Sequence, residues 1–356
     1  MMNFNELLKR AVEKKASDIF IVSGLPLSYK INGVIGPEEN EIIVPESAED
    51  LIRSAYLIAE RDMSKLTETG DDDFSVSIKG LSRFRISAYK QRGSLAAVIR
   101  VVSFDIPNYA ELNIPEEVMK IADKTKGLVL VTGPAGGGKS TTLACIIDKI
   151  NRSRNGHIIT LEEPIEYLHS NIKSVVSQRE VHADTEGYVP ALRACLRQSP
   201  DVILVGEMRD FETIKTAMTA AETGHLVIST LHSVGAENTI DRIIDVFPPN
   251  QQQQIRVQLS QLLQTVVSQQ LLPTIDGQRM PAFEIMHANS AIRNMIRESK
   301  VHQINTVINN SAADGMISMD NSIVQLYKKG LITGSTAMKF TENPDSMERK
   351  LEAADM

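Results

Sequence analysis

Residues 133 to 140 read Gly-Pro-Ala-Gly-Gly-Gly-Lys-Ser. Glycines at this density let backbone N–H groups converge on one point, and an ammonium and a hydroxyl follow at once. That set of donors suits a polyphosphate. The stretch fits the pattern G-x-x-x-x-G-K-S, in which the loop amides cradle phosphates, the lysine reaches the β- and γ-phosphates, and the hydroxyl sits on Mg²⁺. The expected nucleotide-binding residues are Gly133, Pro134, Ala135, Gly136, Gly137, Gly138, Lys139, Ser140, Thr141 and Thr142. An accidental glycine-rich turn is the competing reading. The flanks weigh against it, because the apolar run "GLVLVT" precedes the loop and the helix-like "STTLACIIDKIN" follows it. A helix starting there would add the positive end of its dipole to the cradle.

A phosphate loop that hydrolyses needs acids, and two segments offer them. "HIITLEEPIEYLH" ends a strand-like run in Glu162 and Glu163, with Glu166 close behind. A carboxylate at the end of such a strand can orient or deprotonate an attacking water. "PDVILVGEMRD" places Glu207 after another apolar run, where an acid supports the Mg²⁺ or its waters. Salt bridging to Arg209 is the plainer role for Glu207. In "ETGHLVISTLHS", His225 and His232 bracket a strand-like run, and His232 is suited to sensing the γ-phosphate or steadying Glu207. The two histidines lack the spacing of a metal pair on a helix.

These segments need a scaffold, and the pattern of the chain supplies one. The 356 residues are 42% hydrophobic and 23% charged, an ordinary globular composition long enough for two domains. Residues 1–103 alternate a helix over 3–16, short strands, a helix near 46–60 and an antiparallel meander, which reads as a small α+β domain. Residues 104–117, with two prolines, read as a linker. From 118 to 356, apolar strands alternating with helices read as a parallel α/β sheet, and the pattern after about 250 reads as helical, to about 340. The last dozen residues are polar and expected to fray. A net charge of −7 argues against bulk binding of nucleic acid. Two cysteines, Cys145 and Cys195, offer no paired-cysteine zinc site. The charged start "MMNFNELLKRAVEKKASD" is unlike a signal peptide, and no run is long and apolar enough to span a bilayer.

"GPAGGGKSTT", "ITLEEPIEY", "LRQSPDVILVGEMRD" and "TAAETGHLVISTLH" stand in the order and spacing of the Walker A, Asp box, Walker B and His box of the secretion-superfamily ATPases. With "AIRNMIRESK" and "DRIIDVFPPNQQQQIRVQLSQLLQTVVSQQLLP", the chain most resembles the PilT-type ATPases, which retract type IV pili in twitching motility. The resemblance implies a PAS-like α+β N-terminal domain joined to a RecA-like P-loop ATPase core with a helical C-terminal part. It implies ATP and Mg²⁺ as cofactors and a homohexamer with nucleotide between subunits. It also implies work at the inner, cytoplasmic face of the membrane, on an inner-membrane platform protein and beside a second retraction ATPase. Glu162 matches the glutamate that activates water, Glu207 the Walker B acid, which with Ser140 holds Mg²⁺ partly through water, and His225 and His232 the His box, both implied to sense the γ-phosphate. Arginines of the N-terminal meander are implied to approach the nucleotide. Among Arg83, Arg85, Arg92 and Arg100, we favour Arg85 and Arg100.

In "SAIRNMIRESK", Ser290 reads as an N-cap, Ile292, Met295 and Ile296 as one apolar face, and Arg293 and Arg297 as another. By resemblance, the arginines couple the motor to retraction. The chain also departs from the family. Ala135 and Gly137 stand where the loop usually has Thr and Ser, Glu163 where the Asp box has Asp, and Gln198 and Ser199 where an acidic pair is usual. The last change resembles PilU-type accessory retraction ATPases, which keeps a low-turnover regulatory partner as an alternative. A pilus-extension or type II secretion ATPase fits less well, since such members carry a four-cysteine zinc insert.

Overall fold

A computed structural model describes residues 3–31, 33–102 and 105–355. The expected boundary between 103 and 104 lies outside the described residues. The chain divides into two units, Met1–Asp105 with Ile165–Leu168, and Ile106–Pro164 with His169–Met356.

The first unit runs α1 (Phe4–Glu13), β1 (Asp18–Ile21), β2 (Pro26–Ile31), β3 (Val34–Ile42), α2 (Pro45–Ile58), α3 (Ser64–Thr69), β4 (Asp71–Ile78), β5 (Ser82–Gln91) and β6 (Ser94–Val102). The six strands form one antiparallel sheet in the order β3-β2-β1-β6-β5-β4. Phe4, Leu7, Leu8 and Ala11 recur on one face of α1 and bury against Ile19, Ile21, Phe84, Ile86 and Ile99 of the sheet. Strands β4 and β5 alternate buried and more exposed residues, as a sheet covered on one face does. Strand β3 and helix α3 were not separated from their surroundings by the sequence pattern.

The second unit continues with α4 (Glu116–Met119), β7 (Gly127–Thr132), α5 (Lys139–Ser153), β8 (His157–Glu162), β9 (Val175–Glu180), α6 (Tyr188–Cys195), β10 (Val202–Val205), α7 (Phe211–Glu222) and β11 (Leu226–Leu231). It ends with α8 (Ala236–Asp245), α9 (Pro249–Leu262), β12 (Leu263–Pro273), β13 (Arg279–His287), α10 (Ser290–Arg297), α11 (Ile304–Asn310), α12 (Met319–Lys328), α13 (Gly334–Phe340) and α14 (Pro344–Asp355). Its seven strands lie in the order β13-β12-β7-β11-β10-β8-β9, parallel except for the antiparallel β12–β13 pair. Every residue of β7, β10 and β11 is buried. Leu128 and Leu130 of β7 enter the core on one face, and Val129 and Val131 the core on the other. A sheet covered on both faces needs such unbroken apolar strands.

Two expectations fail here. The region after 250 is not helical throughout, because β12 and β13 extend the sheet from the far side of β7. Nor do residues 345–355 fray: they lie in α14, which buries Met347 and Leu351 against Leu272, Ile323 and Ile332. Both errors share a cause. Amide-rich and polar segments carry weak periodicity, and tertiary partners decide their state.

Candidate nucleotide site

The phosphate loop leaves β7 at its carboxyl end, where parallel α/β sheets bind ligands. Gly133 has φ of +139° and Gly136 of +71°. Pro134, Ala135 and Gly136 are exposed, while Gly133, Gly137 and Lys139 are buried. Lys139 opens the fifteen-residue α5, and its Nζ donates to the Gly133 and Pro134 carbonyls at 2.8 and 2.9 Å. The ammonium is thus held across the mouth of its own loop. The half-buried Ser140 stands next on the helix, with its hydroxyl at the end where backbone N–H groups are unspent.

The loop rests on a residue the sequence reading missed. Gln269, buried on β12, accepts a 2.7 Å hydrogen bond from Thr142 Oγ1 of α5. Its backbone carbonyl lies so near Gly133 that an added Cβ would sit 2.1 Å from the oxygen. The run Thr265-Val266-Val267, β-branched and following a helix, was the available signal for a strand there.

Next across the sheet come the acids. Glu162 ends β8; its Oε1 accepts from Thr160 Oγ1 at 2.6 Å and from Gln178 Nε2 on β9 at 3.2 Å. Glu207 follows β10, with Oε2 2.7 Å from Arg209 and Oε1 3.1 Å from His232 Nε2. Burial alone would raise the Glu207 carboxyl, but the Arg209 hydrogen bond and the charge of His232 bring it below the usual carboxylate range. The loop that carries Glu207 is clamped to β11, where Thr230 Oγ1 donates to the Gly206 carbonyl at 2.6 Å and Ser229 Oγ to that of Val205 at 2.7 Å. Tyr188 on α6 was also missed. Burial raises its phenol, and the charges of Glu163, Glu207 and Glu162 raise it further, so the hydroxyl stays un-ionised.

The remaining candidates divide. His232 follows β11 and touches Glu207. His225 precedes β11 and bonds instead to Thr223 Oγ1 and the Ala220 carbonyl. The six residues between them span about 20 Å of strand, so the chain brings only one of the two histidines to the acids. Arg85 and Arg100 stand directly opposite each other on β5 and β6, in the first unit. Arg100 Nε lies 3.2 Å from Asp18 Oδ1 and is largely exposed. Arg293 does not share a free face with Arg297: its Nη1 donates to the Ser260 and Gln261 carbonyls at 2.5 and 2.8 Å, closing the C-terminus of α9. Arg297 is exposed. The N-cap of α10 is Asn289, not Ser290, with Asn289 Oδ1 accepting from the Ile292 amide at 3.0 Å.

The residues present fit a nucleotide with its metal. Among the described residues no three His, Cys, Asp or Glu cluster as a metal cage. A phosphate-bound Mg²⁺ asks for none, since it takes one or two protein oxygens and completes its shell with phosphate and water. Ser140 and Glu207 are the candidates for that part.

Fold and site together define a phosphate-loop α/β ATPase with a separate N-terminal α+β unit. The chain belongs to the family described as "Type II/IV secretion system protein", which it matches over residues 1–306. It is 41% identical over 347 residues to the type IV pilus retraction ATPase PilT of Pseudomonas aeruginosa, covering 97% of this chain and 100% of that one. A twitching motility protein of Neisseria gonorrhoeae is 48% identical over 276 residues, 77% of this chain and 74% of the other. PilU of P. aeruginosa, a type IV pilus ATPase, is 38% identical over 97% of this chain and 90% of its own. Among solved structures, the pilus retraction motor PilT with bound ADP superposes with a TM-score of 0.89 at 45% identity, covering 98% of this chain and 100% of that one. No helix among the described residues is long and apolar enough to cross a membrane.

Proposed function

We propose that this chain is an ATP-hydrolysing motor that powers type IV pilus retraction. The chain-long likeness to the PilT retraction motor carries this reading, because it comes with the phosphate loop, Glu162 and the Glu207–His232 pair at one edge of a single sheet. The loop from Gly133 to Thr142 binds the phosphates of ATP, with Lys139 exchanging its loop carbonyls for the β- and γ-phosphates. Ser140 and Glu207 would hold Mg²⁺, which would supply charge neutralisation at the phosphates. Glu162, steadied by Thr160 and Gln178, orients a water for in-line attack on the γ-phosphorus and accepts its proton, while the bond to the ADP oxygen breaks. His232 holds Glu207 and is placed to sense the γ-phosphate. Arg85 and Arg100, offered by a neighbouring subunit of a homohexamer, stabilise the charge that develops on the transferring group. The ring acts at the cytoplasmic face of the inner membrane on a platform protein, with Arg297 available for docking.

A second reading, an accessory retraction ATPase of low turnover, is favoured by the 38% identity to PilU and by Gln198-Ser199. Steady-state hydrolysis by wild type, Lys139→Ala and Glu162→Gln separates the two. The motor reading expects robust wild-type turnover that both substitutions abolish. It is lost if wild type turns over no faster than Lys139→Ala.

A further inference from the structure

Helix α8 starts without a side-chain cap of its own, on Gly235. The two amides that open it are accepted from the β12–β13 hairpin. The Gly235 N–H donates to Ser268 Oγ at 2.9 Å, and the Ala236 N–H to Glu284 Oε1 at 2.7 Å. Ser268 and Glu284 are directly paired across the hairpin, and both are buried. Glu284 also accepts from the backbone of Met319, the first residue of α12. A carboxylate facing two helix N-termini substitutes for the missing N-cap side chain.

The helix start that Glu284 holds is part of the site. His232, the partner of Glu207, stands three residues before Gly235. Between them the turn is closed by Ser233 Oγ on Thr239 Oγ1 at 2.8 Å, and Thr239 donates to the Gly235 carbonyl at 2.7 Å. A shift of the first turn of α8 therefore moves His232 relative to Glu207. The carboxylate is also costly where it lies. Burial raises Glu284 to about 7, against the pull of its two amide hydrogen bonds, and the charges of Glu342 and Asp320 add to the rise. Groups that violate a local rule at a cost to stability are concentrated where function needs them.

We propose that Glu284 is a positioning residue for ATP hydrolysis, acting through the cap of α8 on His232 and Glu207. The proposal rests on the site reading given above. The test compares full-length wild type with Glu284→Gln and Ser268→Ala at pH 8. Glu284→Gln keeps the volume and one acceptor but removes the charge. It should melt no lower than wild type and bind ADP within about twofold, yet lose about tenfold in kcat, the equivalent of one buried charge-assisted hydrogen bond. Ser268→Ala should also lower kcat several-fold and leave ADP affinity unchanged. A wild-type kcat in Glu284→Gln overturns the proposal, as does a fall in kcat matched by a fall in Tm and ADP affinity, which is the mark of a purely structural cap. If wild type itself does not hydrolyse ATP, the site reading fails, and NMR of the His232 ring still tests the positioning. Glu284→Gln should shift the His232 resonances and leave those of the distant His157 in place, and unmoved His232 resonances overturn the proposal.

Discussion

Gly133→Ala and Gly136→Ala are the same chemical change three residues apart, and the structure assigns them very different costs. At Gly136, φ is +71° and an added Cβ meets nothing within 4 Å. The cost is the left-handed backbone alone, about 1–2 kcal/mol. At Gly133, φ is +139°, and the Cβ would lie 2.1 Å from the Gln269 carbonyl oxygen and 3.1 Å from its carbon. Close C···O contacts in proteins stop at about 3.3 Å, so β12 and the loop must part by roughly 1.2 Å. Both sides resist, because Val267 and Ser268 of β12 pair with Val131 and Thr132 of β7. Losing even one buried ladder hydrogen bond adds about 1–3 kcal/mol to the backbone term. Calorimetric titration with ADP should find Gly136→Ala within about thirtyfold of wild type and Gly133→Ala weaker by a further factor of about 5 to 150, on the scale of 1.4 kcal/mol per decade. Urea unfolding should rank them the same way. If Gly133→Ala binds ADP as well as Gly136→Ala does, the support of the loop by β12 is refuted.

Thr160→Val keeps the buried shape but deletes the 2.6 Å donor to Glu162, so kcat should fall about tenfold while ADP affinity holds; single-turnover hydrolysis and titration separate the two. Asp72 in the first unit would be raised by burial, but hydrogen bonds from Arg61, Lys65 and Tyr56 hold it below the usual carboxylate range. Its folded pKa is therefore below its unfolded one. The stability it contributes is present above about pH 4 and lost as pH falls through the folded value, and Asp72→Asn should remove about 2 kcal/mol at pH 7, as read by urea melts. Arg293→Ala frees two carbonyls at the end of α9 and should lower stability by about 1 kcal/mol, whereas Arg297→Ala should leave the melting curve unchanged. Loss of pilus retraction in Arg297→Ala with normal ATPase activity would support a docking role for that residue; retraction at the wild-type rate would remove it.

Much of the molecule was legible in the chain. The loop 133–142 announced itself, because a phosphate cradle is built from consecutive residues and its glycines follow from local backbone geometry. The fully buried strands β7, β10 and β11, and β8 with its buried middle, were visible as apolar runs, since burial on both faces leaves a mark in composition. Glu162 and Glu207 could be found because each ends such a run. Other features depended on partners remote in sequence. Gln269 became the floor of the loop only when β12 paired with β7, and an amide-rich segment beside a helix does not declare which neighbour it will meet. The alternation His225, strand, His232 suggested a pair, but strand length carries the two to opposite ends of β11. Arg293 read as sharing a face with Arg297, but α9 ends beneath it and takes its guanidinium. The sequence by itself determined what binds the phosphate, because that chemistry is local. Which side chains hold the loop, the acids and the histidine in place was decided by strand order and helix docking, since those contacts join neighbouring strands and helices, from Gln178 on Glu162 and His232 on Glu207 to Thr142 on Gln269, and exist only in the folded chain.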